Sequence, residues 1–463
     1  MALEDQGVSA VQTPQETLEM KIRRIGNPTR MLRSNVGSAY RFPNLLPEYT
    51  TWQQEQEAWK KAALLFDQSW HMTDVYFDGP DVKRLFTDLG VNSFAKFGAK
   101  KAKQLVACNE DGYLVGDAIL FAWSDHRYSL VGVPCLPNWV HSHAQQGGYD
   151  VEITRDERTL DNKGDRLLFR YQIQGPLAWE VVQKAHGGPI DHIKFFNIGE
   201  FTIAGVTVRA LNHTMTGVPG QELTGLEITG PSDRREVVLA ALMTAGQEFG
   251  LRQGGGLSYS ATAVESGWQG AYLPAIFTGE GAKSHREWLP GAGWEGAASL
   301  GGSFASDDVR DYYLTPWDAG FDRVITFDHD FVGRAALEQM ADQPHRRKVW
   351  LIWNDEDAAR VIASSLFGGE KRAKYVRLPY AGYVSWQYDE VRAGDGLVGL
   401  TARTGYTVNI GHIASLAMID EAEAREGAEV TITWGEPDGG ASRSTSESHV
   451  QTTVRATIRT HAI

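Results

Sequence analysis

The chain has 463 residues, 42% of them hydrophobic and 22% charged, with a formal net charge of −13. That length is too great for one core and predicts two or three domains of ordinary globular composition, while the absence of any run near ~18 apolar residues excludes a membrane-spanning helix. Acidic residues outnumber basic ones with no long basic run, which argues against nucleic acid as the main partner and makes any anionic ligand depend on a few locally placed Lys or Arg.

The first sixteen residues are polar and acidic, with no apolar segment after a basic start, so no secretory signal is expected. Two cysteines, Cys108 and Cys135, form no Cys-x-x-Cys pair, which points to a reducing, cytoplasmic setting. Residues 1–35 are weakly patterned and read as an arm with one helix near 15–25. A helix over 52–61 then enters the apolar run 62–66. One pattern follows three times: an alternating strand, a Gly-Pro turn and a helix, at Gly79-Pro80, Gly175-Pro176 and Gly230-Pro231. The spacing is uneven, so this is a reused strand–turn–helix unit and not a solenoid. Residues 112–123 with 128–133, and 201–203 with 206–211 around Ala204-Gly205, read as hairpins.

A helix over 237–249, ended by Gly250, leads into Gly254-Gly255-Gly256, with Tyr259, Glu265 and Trp268 soon after. Consecutive glycines put backbone where side chains would collide, in a positive-φ turn or close against a ligand. Two readings stay open here: a pocket for a flat ligand, or a tight turn whose Tyr and Trp are core aromatics. Residues 298–322 read as loop. From 348 onward, short strands at 349–353, 382–384, 396–404, 413–419, 429–434 and 450–459 predict a small all-β barrel or jelly roll, with an acidic helix at 420–425 and a polar loop at 435–448 on its surface. His141 and His143 lack a third spaced ligand and read as solvated loop histidines. No Gly-Lys-Ser/Thr follows the triple glycine and no Gly-x-Ser-x-Gly occurs, so nothing argues for a phosphate loop, a hydrolase elbow, a metal or a flavin.

The three Gly-Pro units, Gly116-Asp117-Ala118-Ile119, Glu265-Ser266-Gly267, Phe331-Val332-Gly333-Arg334 and Gly399…Thr401…Gly405, in this order over about residues 36–460, resemble the folate-dependent family of the glycine-cleavage T-protein. Within it, Leu65-Phe66-Asp67-Gln68-Ser69-Trp70-His71-Met72, Ala39-Tyr40, Lys194-Phe195-Phe196-Asn197, Arg286-Glu287-Trp288-Leu289-Pro290 and Phe327-Asp328-His329-Asp330-Phe331 are similar to the tetrahydrofolate-dependent aryl O-demethylases, whose members act on vanillate or 3-O-methylgallate, on syringate and on the herbicide dicamba. The resemblance implies an α+β fold: a three-domain cloverleaf with antiparallel sheets, helices on one face, and a C-terminal all-β barrel or jelly roll. The expected division is an arm at 1–35, a folate-binding unit at 36–80 plus 165–270, a second unit at 81–164 plus 271–345, and the barrel at 346–463. It implies tetrahydrofolate as methyl acceptor and a methoxylated aromatic acid as donor, with no nucleic acid and no membrane; oligomeric state is not legible. By the same resemblance Tyr259 and His71 fall on catalytic positions, Tyr40 beside the substrate, and Gln68, Glu227 and Trp268 on the folate pocket, with aromatic Trp70 a further substrate-side candidate and Gly256 of the glycine triplet a further folate-side one. Asp117 is a secondary candidate, since Asp after Gly at a strand start is also plain turn chemistry. Val133 stands where the vanillate enzyme has an arginine for the substrate carboxylate, so a para carboxylate lacks that guanidinium here.

Moving a methyl from an aryl ether requires three atoms in line and help for a poor leaving phenoxide. A phenol, with an ordinary pKa near ~10, stays protonated at neutral pH and can donate to the ether oxygen, which favours Tyr259 with His71 in support. Glu227 suits the two parallel donors of a pterin edge, or is the solvent-facing member of an alternating strand. Two further functions remain in play. One is an aminomethyltransferase or another folate-dependent methyltransferase on an amine or sulfonium substrate. The other is a non-catalytic folate-binding assembly factor, though neither Cys108 nor Cys135 lies in the Lys-Gly-Cys-Tyr-x-Gly-Gln-Glu type of motif those carry.

Overall fold

The computed structural model describes residues 15–37, 42–162, 164–215, 225–270, 272–441 and 446–462. A six-stranded sheet runs in the order Arg252–Gly254, Leu64–Asp67, Leu168–Gln174, Gly225–Pro231, Val206–Asn212, Ile198–Ile203. The first pair is parallel and the others are antiparallel. Phe169, Tyr171, Ile173, Leu226, Ile228 and Val208 on one face pack under the helices Ala178–His186 and Arg235–Gly246 through Val181, Val182, Val238 and Leu242. On the other face Arg170, Gln172, Gln174, Glu227 and Thr229 are polar yet buried, because that face is turned into the molecule. Helices on one face of this sheet is what the sequence predicts.

The second sheet runs Lys101–Cys108, Leu114–Ala122, Arg127–Gly132, Thr73–Asp78, Glu152–Asp156, antiparallel throughout. Thr73–Asp78 therefore belongs here, so the expected unit boundary at residue 80 falls one strand late. The arm also differs from expectation. It carries two helices, Leu18–Ile25 and Pro28–Ser34, capped by Thr17 and Asn27. Leu18, Met31 and Leu32 enter the core of the second unit, and buried Glu19 accepts from Arg286 at 2.6 Å. Three buried apolar residues spread over two short helices give too faint a period to read as a docked face.

All three Gly-Pro units form as predicted, leading into Val82–Leu89, Ala178–His186 and, through a short 3₁₀ turn, Arg235–Gly246. At two of them glycine is obligatory: Gly79 and Gly175 have φ of 155° and 117°, and a Cβ would lie 2.1 Å from Asp150 O and 2.6 Å from Ala62 O. The C-terminal strands Arg346–Trp353, Ile413–Asp420, Gly396–Tyr406, Glu390–Ala393, Glu429–Trp434 and Thr452–Arg459 close into a barrel in that order. It is not purely β: the helix Asp355–Phe367, capped by Asn354 and with three acids in its first turn, follows the first strand. Residues 382–384 form no strand, and 421–425 are turn and coil where a helix was expected. Among the described residues, no helix is long and apolar enough to cross a membrane.

Candidate active site

The helix Gly256–Ser266 packs against the barrel strands Gly396–Tyr406 and Ile413–Asp420 and the helix Trp52–Lys61. The triple glycine ends the edge strand and starts this helix, and none of its members has positive φ. Glycine is needed because the chain's own backbone is close: a Cβ on Gly255 would lie 2.3 Å from Pro47 O, and one on Gly254 would lie 2.3 Å from the Phe66 ring. The amide of Gly256 donates to Leu46 O at 2.9 Å, and its open side faces Phe42. The tight approach is thus internal, a third case beside the two the sequence left open. Buried Glu55 holds the helix start, accepting from Gly255 N at 2.8 Å and Ser258 Oγ at 2.6 Å. Trp59, one turn on from Glu55, donates to Glu265 at 2.7 Å, and Trp350 of the barrel donates to Val264 O at 2.7 Å.

That grip sets Tyr259 one turn into the helix, with its ring edge-on to Phe66 and Phe42 at 5.0 and 4.8 Å between centroids. Its hydroxyl lies 3.0 Å from His71 Nε2 and receives the Gln68 amide at 3.2 Å. Gln68 and His71 come from the turn after Leu64–Asp67. Asp67 folds that turn by accepting from Ser69 N at 3.0 Å and Trp70 Nε1 at 2.8 Å. The turn sends Trp70 the other way, where the Arg235 guanidinium sits 4.7 Å from its ring centre. Burial pulls the His71 imidazole down to about 3, with Arg166 and Arg170 adding repulsion, so it is neutral at physiological pH.

Behind this cluster the polar sheet face carries a chain of buried charges. Arg170 pairs with Glu227 and, at 3.1 Å, with Asp74. Arg166 bridges Asp74 at 3.1 Å and Asp156 at 2.9 Å. His213 Nε2 meets the second Glu227 oxygen at 2.9 Å. Glu227 is 4% exposed, which overturns the solvent-facing alternative. The buried amide oxygens of Gln68 and Gln172 have no hydrogen-bond partner among the described residues.

Past the other end of the helix, Trp268 is 43% exposed, while its indole N–H donates to Asp117 at 2.9 Å. Asp117 lies within Leu114–Ala122, not at a turn, and also accepts from Tyr272 at 2.6 Å and Gln104 at 2.8 Å. Its burial raises its pKa against those three donors. Val133 is half-buried directly after Arg127–Gly132. Tyr40 lies outside the described residues. His141 and His143 sit in the helix Cys135–Gln146, not a loop, and burial pulls His141 down to about 4 beside Arg155. Among the described residues no group of three or more His, Cys, Asp or Glu could hold a metal ion. Sequence reasoning passed over Arg170, Gln172, His213 and Glu55. The polar alternation Arg170, Gln172, Gln174 was visible, but alternation alone does not tell a solvated face from an inward one.

The GCVT N-terminal domain family matches residues 35–270. The chain belongs to the T-protein family. Its family relatives include the syringate O-demethylase of Sphingobium sp. (strain NBRC 103272 / SYK-6), 41% identical over 444 residues that cover 96% of this chain and 95% of that protein. The sesamin methylene transferase of Sinomonas sp. (strain No.22) is 26% identical, covering 84% and 86%. The crystal structure of glycine cleavage system aminomethyltransferase T from Bartonella henselae superposes with a TM-score of 0.60 at 16% identity, covering 92% and 93%. That likeness agrees with the T-protein α+β fold expected from the sequence.

Proposed function

We propose that this T-protein relative is a tetrahydrofolate-dependent O-demethylase that takes the methyl group of an aryl methyl ether. The supporting observation is the Tyr259–His71–Gln68 cluster facing a buried polar sheet face. Tetrahydrofolate fits that face: the amide oxygens of Gln68 and Gln172, without a partner among the described residues, are acceptors for an aminopyrimidine edge, beside a Glu227 carboxylate that Arg170 and His213 hold in place. When bound, tetrahydrofolate supplies the nitrogen that receives the methyl, giving 5-methyltetrahydrofolate and a phenol.

The protein's own part is alignment and proton delivery. Gln68 donates into the Tyr259 oxygen, and His71, kept neutral by burial, lies within hydrogen-bonding distance of it through Nε2. A donor into the phenol oxygen polarises the hydroxyl and favours donation of its own proton to a departing aryl oxygen, with neutral His71 alongside to orient it. Phe42 and Phe66 fix the ring, so the hydroxyl keeps one position. Glu55 and the Trp59–Glu265 bond hold the helix that carries it.

The preferred donor is a methoxybenzoate. Val133 offers no charge to a para carboxylate, which favours an ortho-methoxybenzoate of the dicamba type with its chlorines against apolar walls. The test incubates the protein with tetrahydrofolate and syringate, vanillate or dicamba, and reads methyltetrahydrofolate and free phenol by chromatography. Stoichiometric formation of both from at least one donor is expected. Folate binding without turnover of any aryl ether would refute the demethylase reading and leave the amine-substrate or assembly-factor alternatives.

A further inference from the structure

A guanidinium stands beside Trp268 with no acid to answer it. Strand Gly396–Tyr406 slips register against Ile413–Asp420 between Thr401 and Arg403. A bulge of this kind re-aims the side chain that follows it. Here the Arg403 guanidinium lies within reach of two rings, 5.8 Å from the centre of Trp268 and 5.8 Å from that of Tyr380. The Arg403 side chain makes no hydrogen bond or ion pair with any described residue, and its Nε is buried. It lines a hollow with Tyr380, Thr404, Gln387 and Asp389. The Gln387 amide oxygen there also has no partner among the described residues. Asp389 offers little competition: its oxygens are taken by Ser303 N at 3.0 Å and the Gln387 amide at 2.8 Å.

We propose that Arg403 is a carboxylate-binding residue that receives the anionic glutamyl tail of tetrahydrofolate, beside Trp268 and Tyr380. The proposal rests on the folate-dependent reading above. Cation–π contact with two rings restrains the guanidinium, so less entropy is lost when it pairs with a carboxylate. In a chain of net charge −13 an anionic ligand needs such a local cation. Distance selects the ligand. From Tyr259 to the helix end at Ser266 is seven residues, about 10 Å at 1.5 Å each, and Trp268 lies beyond that. A single benzoate ring whose ether oxygen meets Tyr259 does not reach so far, whereas the p-aminobenzoyl-glutamate extension of a folate does.

The experiment measures dissociation constants by calorimetry for the intact protein, Arg403→Gln and Arg403→Lys. The ligands are tetrahydrofolate and 6-methyltetrahydropterin, which has the ring system and no tail. Arg403→Gln is expected to weaken tetrahydrofolate about tenfold or more, Arg403→Lys less, and tetrahydropterin by no more than about twofold. The tetrahydrofolate advantage should also shrink at high salt in the intact protein and not in Arg403→Gln. Equal weakening of both ligands, or no weakening of either, overturns the proposal. So does a raised KM for syringate with tetrahydropterin as acceptor, which would assign the guanidinium to the aromatic acid. An intact protein that binds no tetrahydrofolate fails before any substitution and removes the folate reading itself.

Discussion

Along the strand Leu168–Gln174, Phe169, Tyr171 and Ile173 pack under two helices, whereas Arg170, Gln172 and Gln174 on the opposite face are just as buried and polar. The first face stabilises in the usual way, at about 25 cal/mol per Å² of apolar area removed from water. The second gives part of that back. A buried amide oxygen without a partner costs about 1–3 kcal/mol, and two ion-paired arginines are at best neutral against apolar replacements of the same size. One sheet thus supports the fold on one side and presents the polar candidate site on the other. Binding groups can be kept desolvated there because the helix-covered face compensates.

The sharpest way to test that division is at the chemistry. Tyr259→Phe keeps both ring contacts and removes only the hydroxyl, so turnover should fall about 10²–10⁴-fold with tetrahydrofolate affinity and thermal midpoint held. Methyltetrahydrofolate production at saturating substrate measures it; undiminished turnover would take the phenol out of the reaction.

Next comes a paired substitution on adjacent residues of one strand. Ile173→Ala should cost about 2–5 kcal/mol in urea unfolding, as a cavity under the helices. Gln172→Leu should leave stability within about 1 kcal/mol, since the unpaired amide oxygen it removes offsets the loss of one long bond to His213 O at 3.3 Å, while weakening tetrahydrofolate binding. Were the two to trade effects, the assignment of the faces would be wrong.

Acid should act on the polar face. Burial holds His71 at about 3 and His213 at about 4 in the folded protein, below the ordinary value of 6.5. The unfolded chain therefore binds the proton first. The stability from keeping each ring neutral is complete above pH 6.5 and is lost as pH falls toward the folded values. At pH 5 that amounts to about 1–2 kcal/mol for each histidine. Urea midpoints at pH 7 and pH 5 report the loss, and His213→Phe should flatten part of it. The smallest expected effect is at the rim: Val133→Arg should shift relative kcat/KM toward para-carboxylated methoxybenzoates by about tenfold or less. No shift would place the substrate carboxylate elsewhere.

Local chemistry made much of this protein readable in one dimension. The Gly-Pro units were legible because Gly followed by Pro breaks a strand at a turn, and at Gly79 and Gly175 a positive φ beside a neighbouring backbone admits only glycine. The β-rich C-terminus was legible from short runs broken by turns, and Tyr259, His71 and Gln68 from motifs that resemble the folate-dependent O-demethylases. The helix Asp355–Phe367 had its cap and acidic first turn in plain view but was lost among strand signals. Other features depended on contacts that no local pattern encodes. Whether Glu227 faces water or an arginine, whether Asp117 sits in a turn or under three donors, and why Gly255 must be glycine were decided by what another segment brings alongside. Sequence periodicity says which residues share a face; only the packing of distant segments says what that face meets.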